Sequence, residues 1–300
     1  MLWIINGLIY GFFMALYTLV NQNHKFNGYV LGVWRGFGIA LFFAPALLFI
    51  PLQTDWRNWV LLIVQGILIG VYDSHIFFAS ARYGAGVTSK MMVLSVLVTT
   101  LIWWGLTPEL FVRLFRNESV FITLLLALFG FCICYWYVMK SKITRDAFFY
   151  MLPAIFALAG MSIATKEIAL MGQDVWHNIL YYLTVSTFIS GCYNFLLLIK
   201  QKRYHFDLAG KMVFAKEVMA TGFFIVAFSA ALIAAKTMAM RIAPNPGYVV
   251  ALLLTAPIFV FLLTQNAKKE MAFSEKAGFA MLFFLILIMI LVLGNFNVTD

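Results

Sequence analysis

Trp59–Trp104 reads WVLLIVQGILIGVYDSHIFFASARYGAGVTSKMMVLSVLVTTLIWW, two apolar runs joined by a short turn rich in glycine and small polar residues. Each run approaches the roughly 17–25 residues that a helix needs to cross a bilayer. Asp73 and His75 nevertheless lie inside the first run. An ionisable side chain at that depth is costly and normally faces a bundle interior or a wet cavity. The stretch therefore predicts both a membrane fold and a polar interior.

The rest of the chain agrees. Of its 300 residues 64% are apolar and 11% charged, and the mean hydropathy is +0.94. A soluble domain is about 45–50% apolar and about 25% charged, so this chain uses lipid as its solvent. Ten candidate spans follow, near 3–20, 28–50, 58–80, 86–105, 118–139, 147–169, 176–199, 214–238, 247–265 and 277–294. Irregular backbone cannot face lipid, so runs of this length are helices. The polar stretch KSKITRD at 140–146 divides them five and five. Five is odd, so related halves, 1–141 and 142–300, must be inverted in the membrane, a recurring transporter plan with a site near the midplane. The expected fold is all-α and integral to the membrane, with ten transmembrane helices in two inverted five-helix repeats. Spans four and nine support the pairing. Each follows a small-residue entry, YGAGVTSK or APNPGYVV, and precedes a charged link and a final apolar span.

The formal charge of +9 comes from 21 Lys and Arg scattered through short polar gaps. No basic face of the kind that grips nucleic acid exists, so the charges are read as orientation signals. Fourteen fall in the links after the odd-numbered spans and six on the other side, with Arg35 inside a span. The positive-inside rule puts the fourteen in the cytoplasm and both termini on the non-cytoplasmic side of a cell (inner) membrane. The N-terminal MLWIINGLIYGFF lacks a basic flank and a cleavage site, which argues for a retained first span. Cys132 and Cys134 form C-x-C in an apolar run, where helical geometry points them to nearly opposite faces. They read as packing residues, and no metal or other cofactor is expected.

Several stretches resemble the drug/metabolite transporter superfamily, specifically its EamA-type ten-span members. They are GVYDSHIFFASARYGAGVTSKMMVLSVLVTTLIWWGLTPE at 70–109 and AALIAAKTMAMRIAPNPGYVVALLLTAPIFVFLL at 230–263. In both, an Ala-rich helix end turns into a helix with a mid-span Pro or polar residue. GVWRGFGIALFFAPALLF at 32–49 is similar to the family's second span, and SIATKEIAL at 162–170 to the Lys-bearing end of its sixth. The resemblance implies a secondary transporter of small metabolites with a central cavity between the halves. Family members usually keep their termini in the cytoplasm, whereas the charge count here points the other way.

Candidate site residues follow from depth. Arg35 lies roughly 10 Å into span two and Asp73 roughly 10–14 Å from the end of span three, at 1.5 Å per residue. The two helices run antiparallel, so both charges sit near one level, with His75 one step shallower and Lys90 entering span four from the same face. Gly32 and Gly36 flank Arg35, and Gly66 and Gly70 precede Asp73. Such small-residue spacings mark close helix contacts in membranes and predict that Asp73 points inward. Three readings of the pair stand: an ion pair that locks spans two and three, a substrate or proton site, or side chains that snorkel to an interface. Imidazole titrates near neutral pH, so His75 leaves proton coupling open, beside the plainer reading of a core histidine.

In the second half Lys166 and Glu167 are adjacent and cannot share a face, so one is expected to face the cavity and the other to meet headgroups. Lys236 and Arg241 read as snorkelling from the end of span eight. PNPGYV breaks the helix before span nine, as a plain turn or as backbone lining a cavity with Tyr248 at its mouth. The aromatic stripe YYLTVSTF at 181–188 reads as packing or as a stacking wall.

The substrate-binding candidates are therefore Arg35, Asp73, His75, Lys90, Lys166, Glu167 and Tyr248. Cations outnumber anions among them, which favours a small polar metabolite with a carboxylate or phosphate, such as an amino acid or its derivatives, carried by a monomer or homodimer. The alternative is a membrane-embedded lipid-modifying enzyme or a lipid or metabolite channel. Against an enzyme, the sequence shows no pairing of nucleophile, base or metal ligands, and HFD at 205–207 lies in a basic link.

Overall fold

In the computed structural model of the chain, the polar gaps between apolar runs become helix caps. Asn27, Asp55, Asp174 and Asn245 each accept a hydrogen bond from the backbone N–H two residues on, at 2.7–2.9 Å, and Thr144 accepts one from Ala147 at 3.2 Å. Such caps satisfy donors that a helix start leaves orphaned, at about 1 kcal/mol each. The structure describes residues 2–92, 94–109, 112, 118–140, 144–172, 174–202, 210, 212–243, 245–263, 280, 283, 284 and 287. The tenth expected span, at 277–294, and the HFD motif therefore lie outside the described residues as whole segments.

Every regular element among the described residues is helical. The order is α1 Leu2–His24, α2 Gly28–Phe43 with a 3₁₀ extension Ala44–Phe49, α3 Trp56–Tyr83, α4 Ala85–Met91, α5 Leu94–Leu106 and α6 Glu118–Lys140. Then come α7 Arg145–Leu170, α8 Val175–Tyr181, a π-helical turn Tyr182–Ser186, α9 Thr187–Gln201, α10 Lys216–Ile242, α11 Pro246–Ala251, a 3₁₀ turn Leu252–Thr255 and α12 Ala256–Leu263. Seven segments are long and apolar enough to cross a membrane: Leu2–Gln22, Gly28–Phe49, Trp56–Tyr83, Ala85–Leu106, Arg145–Leu170, Val175–Gln201 and Lys216–Ile242. Together they point to a multi-pass membrane protein. Large apolar side chains such as Leu41, Phe42, Leu48, Phe129, Phe156, Phe223 and Phe224 remain exposed on the outside, as a lipid-facing surface requires.

The interior closes on small residues. A Cβ added at Gly36 would stand 2.3 Å from the Gly191 nitrogen and 2.7 Å from the Thr187 carbonyl oxygen, so α2 and α9 touch backbone to backbone. Gly66 faces the Ser186 carbonyl and Ile189, and Gly70 faces the Tyr193 ring. Both predicted glycine stripes thus close on one segment, 182–201, which the sequence reading did not pair with them. Elsewhere α3 packs on α7, and α1 on α10 and the 252–255 turn. The α3–α4 turn passes through Gly84 at φ +87°, a conformation that only glycine adopts freely.

Candidate functional site

Arg35 is central to α2, and Asp73 sits two-thirds along α3. Both are buried, at 3% and 0% exposure, and the Arg35 Nη1 is paired with Asp73 Oδ1. The equal depths read from the sequence become a direct contact. Tyr17 on α1 donates its phenolic O–H to the same Oδ1 at 2.8 Å, and Ser190 on α9 reaches Oδ2 at 3.5 Å. The guanidinium also stacks over the Tyr17 ring, 5.3 Å from its centroid. Four segments, three from the first half of the chain and one from the second, therefore converge on one carboxylate.

The π-helical turn explains how the fourth gets there. Such a turn adds a residue to the helical repeat and often marks a functional position. Here it lets Ser186 donate to the Leu62 carbonyl at 2.8 Å and to Gln65 Oε1 at 3.2 Å, while Gln65 donates to Thr165 at 2.7 Å. Ser190 follows one turn later on the same face. The start of the YYLTVSTF stripe supplies structure of two kinds. Tyr181 donates to the Pro51 carbonyl and anchors the α2–α3 link, and Tyr182 is buried within electrostatic reach of Arg35 and Asp73.

Lys236 departs from the sequence reading. Rather than snorkelling, it is 0% exposed, and its ammonium has no hydrogen-bond partner. The Tyr10 ring lies 5.9 Å away, and Arg35 is within electrostatic reach. The reason is helical phase: Ser229, Leu232, Ile233, Ala239 and Met240, at three, four and seven residues from Lys236, are all buried. The long side chain runs inward along that stripe. A cation–π contact is worth about 0.5–2 kcal/mol, whereas burying an ion costs several kcal/mol. Tyr10 alone does not offset that cost. The Arg35 Nε and the Asn194 Oδ1 are also buried without partners. Among the described residues the cluster therefore holds two cations, one anion and an excess of unmatched donors.

The other candidates are distributed elsewhere. His75 is half-buried on another side of α3, its Nδ1 2.8 Å from the Val71 carbonyl and its ring 5.3 Å from that of Tyr150. A carbonyl only accepts, so Nδ1 carries the proton. Lys90 is half-buried on α4, and Tyr248 is buried on α11 just after the Asn245 cap. Glu167 is half-buried, while its neighbour Lys166 is buried.

Lys166 serves a helix end. Its ammonium donates to the Met240 and Ala243 carbonyls at 2.7 and 2.6 Å, where α10 terminates. Arg241 of α10 returns the contact, donating to the Ala169 and Gly172 carbonyls at the end of α7. Cations are favoured at C-termini because the last carbonyls there carry unmatched negative charge. Lys166→Met is expected to lower the melting temperature by the equivalent of about 1–3 kcal/mol, the cost of leaving buried acceptors unpaired. Arg241→Met is expected to cost less, since Arg241 is partly exposed. Melting curves of the purified protein check this. A Lys166→Met protein as stable as wild type would return Lys166 to the substrate-binding candidates.

Among the described residues no group of three or more His, Cys, Asp or Glu side chains lies together as a metal site. A cleft of about 790 Å³ opens between α1 and α10, lined by residues including Val20, His24, Glu217 and Phe224. It holds none of the Arg35–Asp73 cluster, whose ionisable side chains are buried among the described residues. Compared with known proteins, the chain matches no family model and no curated protein.

Proposed function

We propose that the chain is a secondary transporter of the EamA-type drug/metabolite transporter kind, moving a small polar metabolite by alternating access between two inverted five-helix repeats, 1–141 and 142–300. The cargo is an amino acid or related carboxylate. The observation that carries the reading is the buried ionic cluster of Arg35, Asp73 and Lys236 where helices of the two chain halves meet. Ionisable groups held away from lipid at such a level mark substrate and ion pathways, and a site between repeats is the plan of many carriers.

The packing supports the repeat. If α1, α2 and α3 correspond to α7, α8–α9 and α10, a twofold axis exchanges the α3–α7 contact with the α1–α10 contact, and both pairs pack extensively. The α2–α9 contact maps onto itself, and it is the close glycine crossing. α3 and α10 have 28 and 27 residues. After each, the chain enters a short helix, α4 or α11, breaks, and resumes as α5 or α12. Termini on the outer side of the inner membrane follow from the charge count. The burial of Lys166 and Lys236 takes two charges off the minority side of that count and strengthens it.

The buried cluster fits an occluded carrier better than an open channel. The test is counterflow in proteoliposomes with a panel of radiolabelled amino acids and monocarboxylates. A carrier gives saturable uptake stimulated by unlabelled substrate inside. Linear, unstimulated flux would mark a channel, and absence of flux across the panel would remove the proposal.

A further inference from the structure

The buried cluster sets two basic side chains, Arg35 and Lys236, against one carboxylate, and that imbalance defines a subsite. Asp73 is already shared by Arg35, Tyr17 and Ser190. Lys236 is wholly buried, has no hydrogen-bond partner, and is within electrostatic reach of Arg35, whose Nε is a second unpartnered donor. Tyr10 gives the ammonium an aromatic face but no negative charge. A buried cation without an anion is retained at a cost that a bound anion removes. Lys166, a site candidate by sequence, is already committed to the end of α10.

The geometry points to Lys236, with the Arg35 Nε–H, as the anion subsite of the cluster, taking the carboxylate of the transported metabolite. The inference rests on the carrier reading for the word transported, but not for the binding itself. The ligand is an organic monocarboxylate: one negative charge balances the two basic side chains against Asp73, and the Tyr10 ring beside Lys236 offers an apolar face to an organic body. Asp73 and the Tyr17 hydroxyl remain as the counter-ion frame that holds Arg35 in place. A carboxylate held there accepts charge-assisted hydrogen bonds, which are the strong ones.

The experiment uses the full chain, purified in detergent, and follows its melting temperature with acetate, L-lactate and phenylacetate against acetamide, lactamide and phenylacetamide. Inorganic phosphate and chloride are the inorganic arms. At least one carboxylate is expected to stabilise the wild type where its amide does not. Lys236→Gln and Lys236→Met are expected to weaken that response about tenfold or more, the scale of one charge-assisted bond. Without ligand these variants are expected to melt no lower than wild type, because they remove an uncompensated buried charge. That control separates loss of binding from loss of fold.

Equal carboxylate responses in wild type and Lys236→Gln would overturn the subsite, as would no response to any carboxylate. A response to phosphate or chloride alone would overturn the carboxylate assignment. Counterflow separates the two proposals. Lys236-dependent carboxylate binding without counterflow would refute the carrier and keep the subsite. Counterflow that keeps its preference for carboxylate over amide in Lys236→Gln would do the reverse.

Discussion

Gly36→Ala is expected to destabilise the protein more than any other single-methyl change in the first three helices. The new Cβ meets the Gly191 nitrogen, the Gly191 Cα and the Thr187 carbonyl at 2.3, 2.4 and 2.7 Å. These are backbone atoms, so no side chain can turn away, and α2 must separate from α9. Helix propensity favours Ala over Gly by about 1 kcal/mol. Overpacking costs typically about 1–3 kcal/mol and more when backbone must move, so the clash wins. The separation also draws Arg35 on α2 away from Ser190 on α9. Gly36→Leu is expected not to fold. Gly105→Ala is the control: it is an exposed helical position with nothing within 4 Å of the added methyl, where stability is expected to be unchanged or slightly raised. Melting temperatures of the three proteins test the crossing. A Gly36→Ala protein as stable as wild type would mean that α2 and α9 are not in backbone contact.

The second large effect is a double-mutant cycle on the ion pair. Removing one member of a buried pair leaves the other uncompensated, at about 3–5 kcal/mol. Arg35→Ala and Asp73→Ala are both expected to lower the melting temperature, and the double variant is expected to recover much of the loss. The two singles are not equivalent. Arg35→Ala leaves Asp73 and Lys236, one charge of each sign. Asp73→Ala leaves Arg35 and Lys236, two cations and no anion, and also strips the Tyr17 and Ser190 hydroxyls of their acceptor. Asp73→Ala is therefore expected to be the worse of the two. Equal losses that simply add in the double variant would show that the charges do not act as a unit.

Much of this was legible in the chain. Long apolar runs located the seven described segments that can cross a membrane, because hydrocarbon leaves the backbone no partner but itself. The equal depth of Arg35 and Asp73 followed from counting residues inward on two antiparallel helices, which left a direct contact as one of three readings, and the glycine stripes predicted which way Asp73 points. What the stripes could not say is what they touch. Lipid and helix interior are equally apolar, so nothing in the composition of α2 distinguishes a neighbour at α3 from one at α9. Ser190 was lost for that reason, and Tyr17 because one tyrosine in an aromatic-rich span carries no contrast. Lys166 was visible only as one of two adjacent charges of which one faces inward, and its partners are main-chain carbonyls, which leave no mark in a sequence. Lys236 was misread because depth alone does not separate a snorkelling lysine from an inward one. The available signal was phase: it falls on the small and apolar stripe through Ser229, Ile233 and Ala239.

The central claim is that the buried carboxylate serves translocation and not only packing. The direct test is counterflow with Asp73→Asn, which keeps the shape and hydrogen-bonding oxygen of the side chain and removes its charge. The carrier account predicts a folded protein that retains a clear melting transition and loses substrate-stimulated exchange. A folded Asp73→Asn protein that exchanges the same substrate at the wild-type rate would contradict it, and the Arg35–Asp73 pair would then be a brace between two helices.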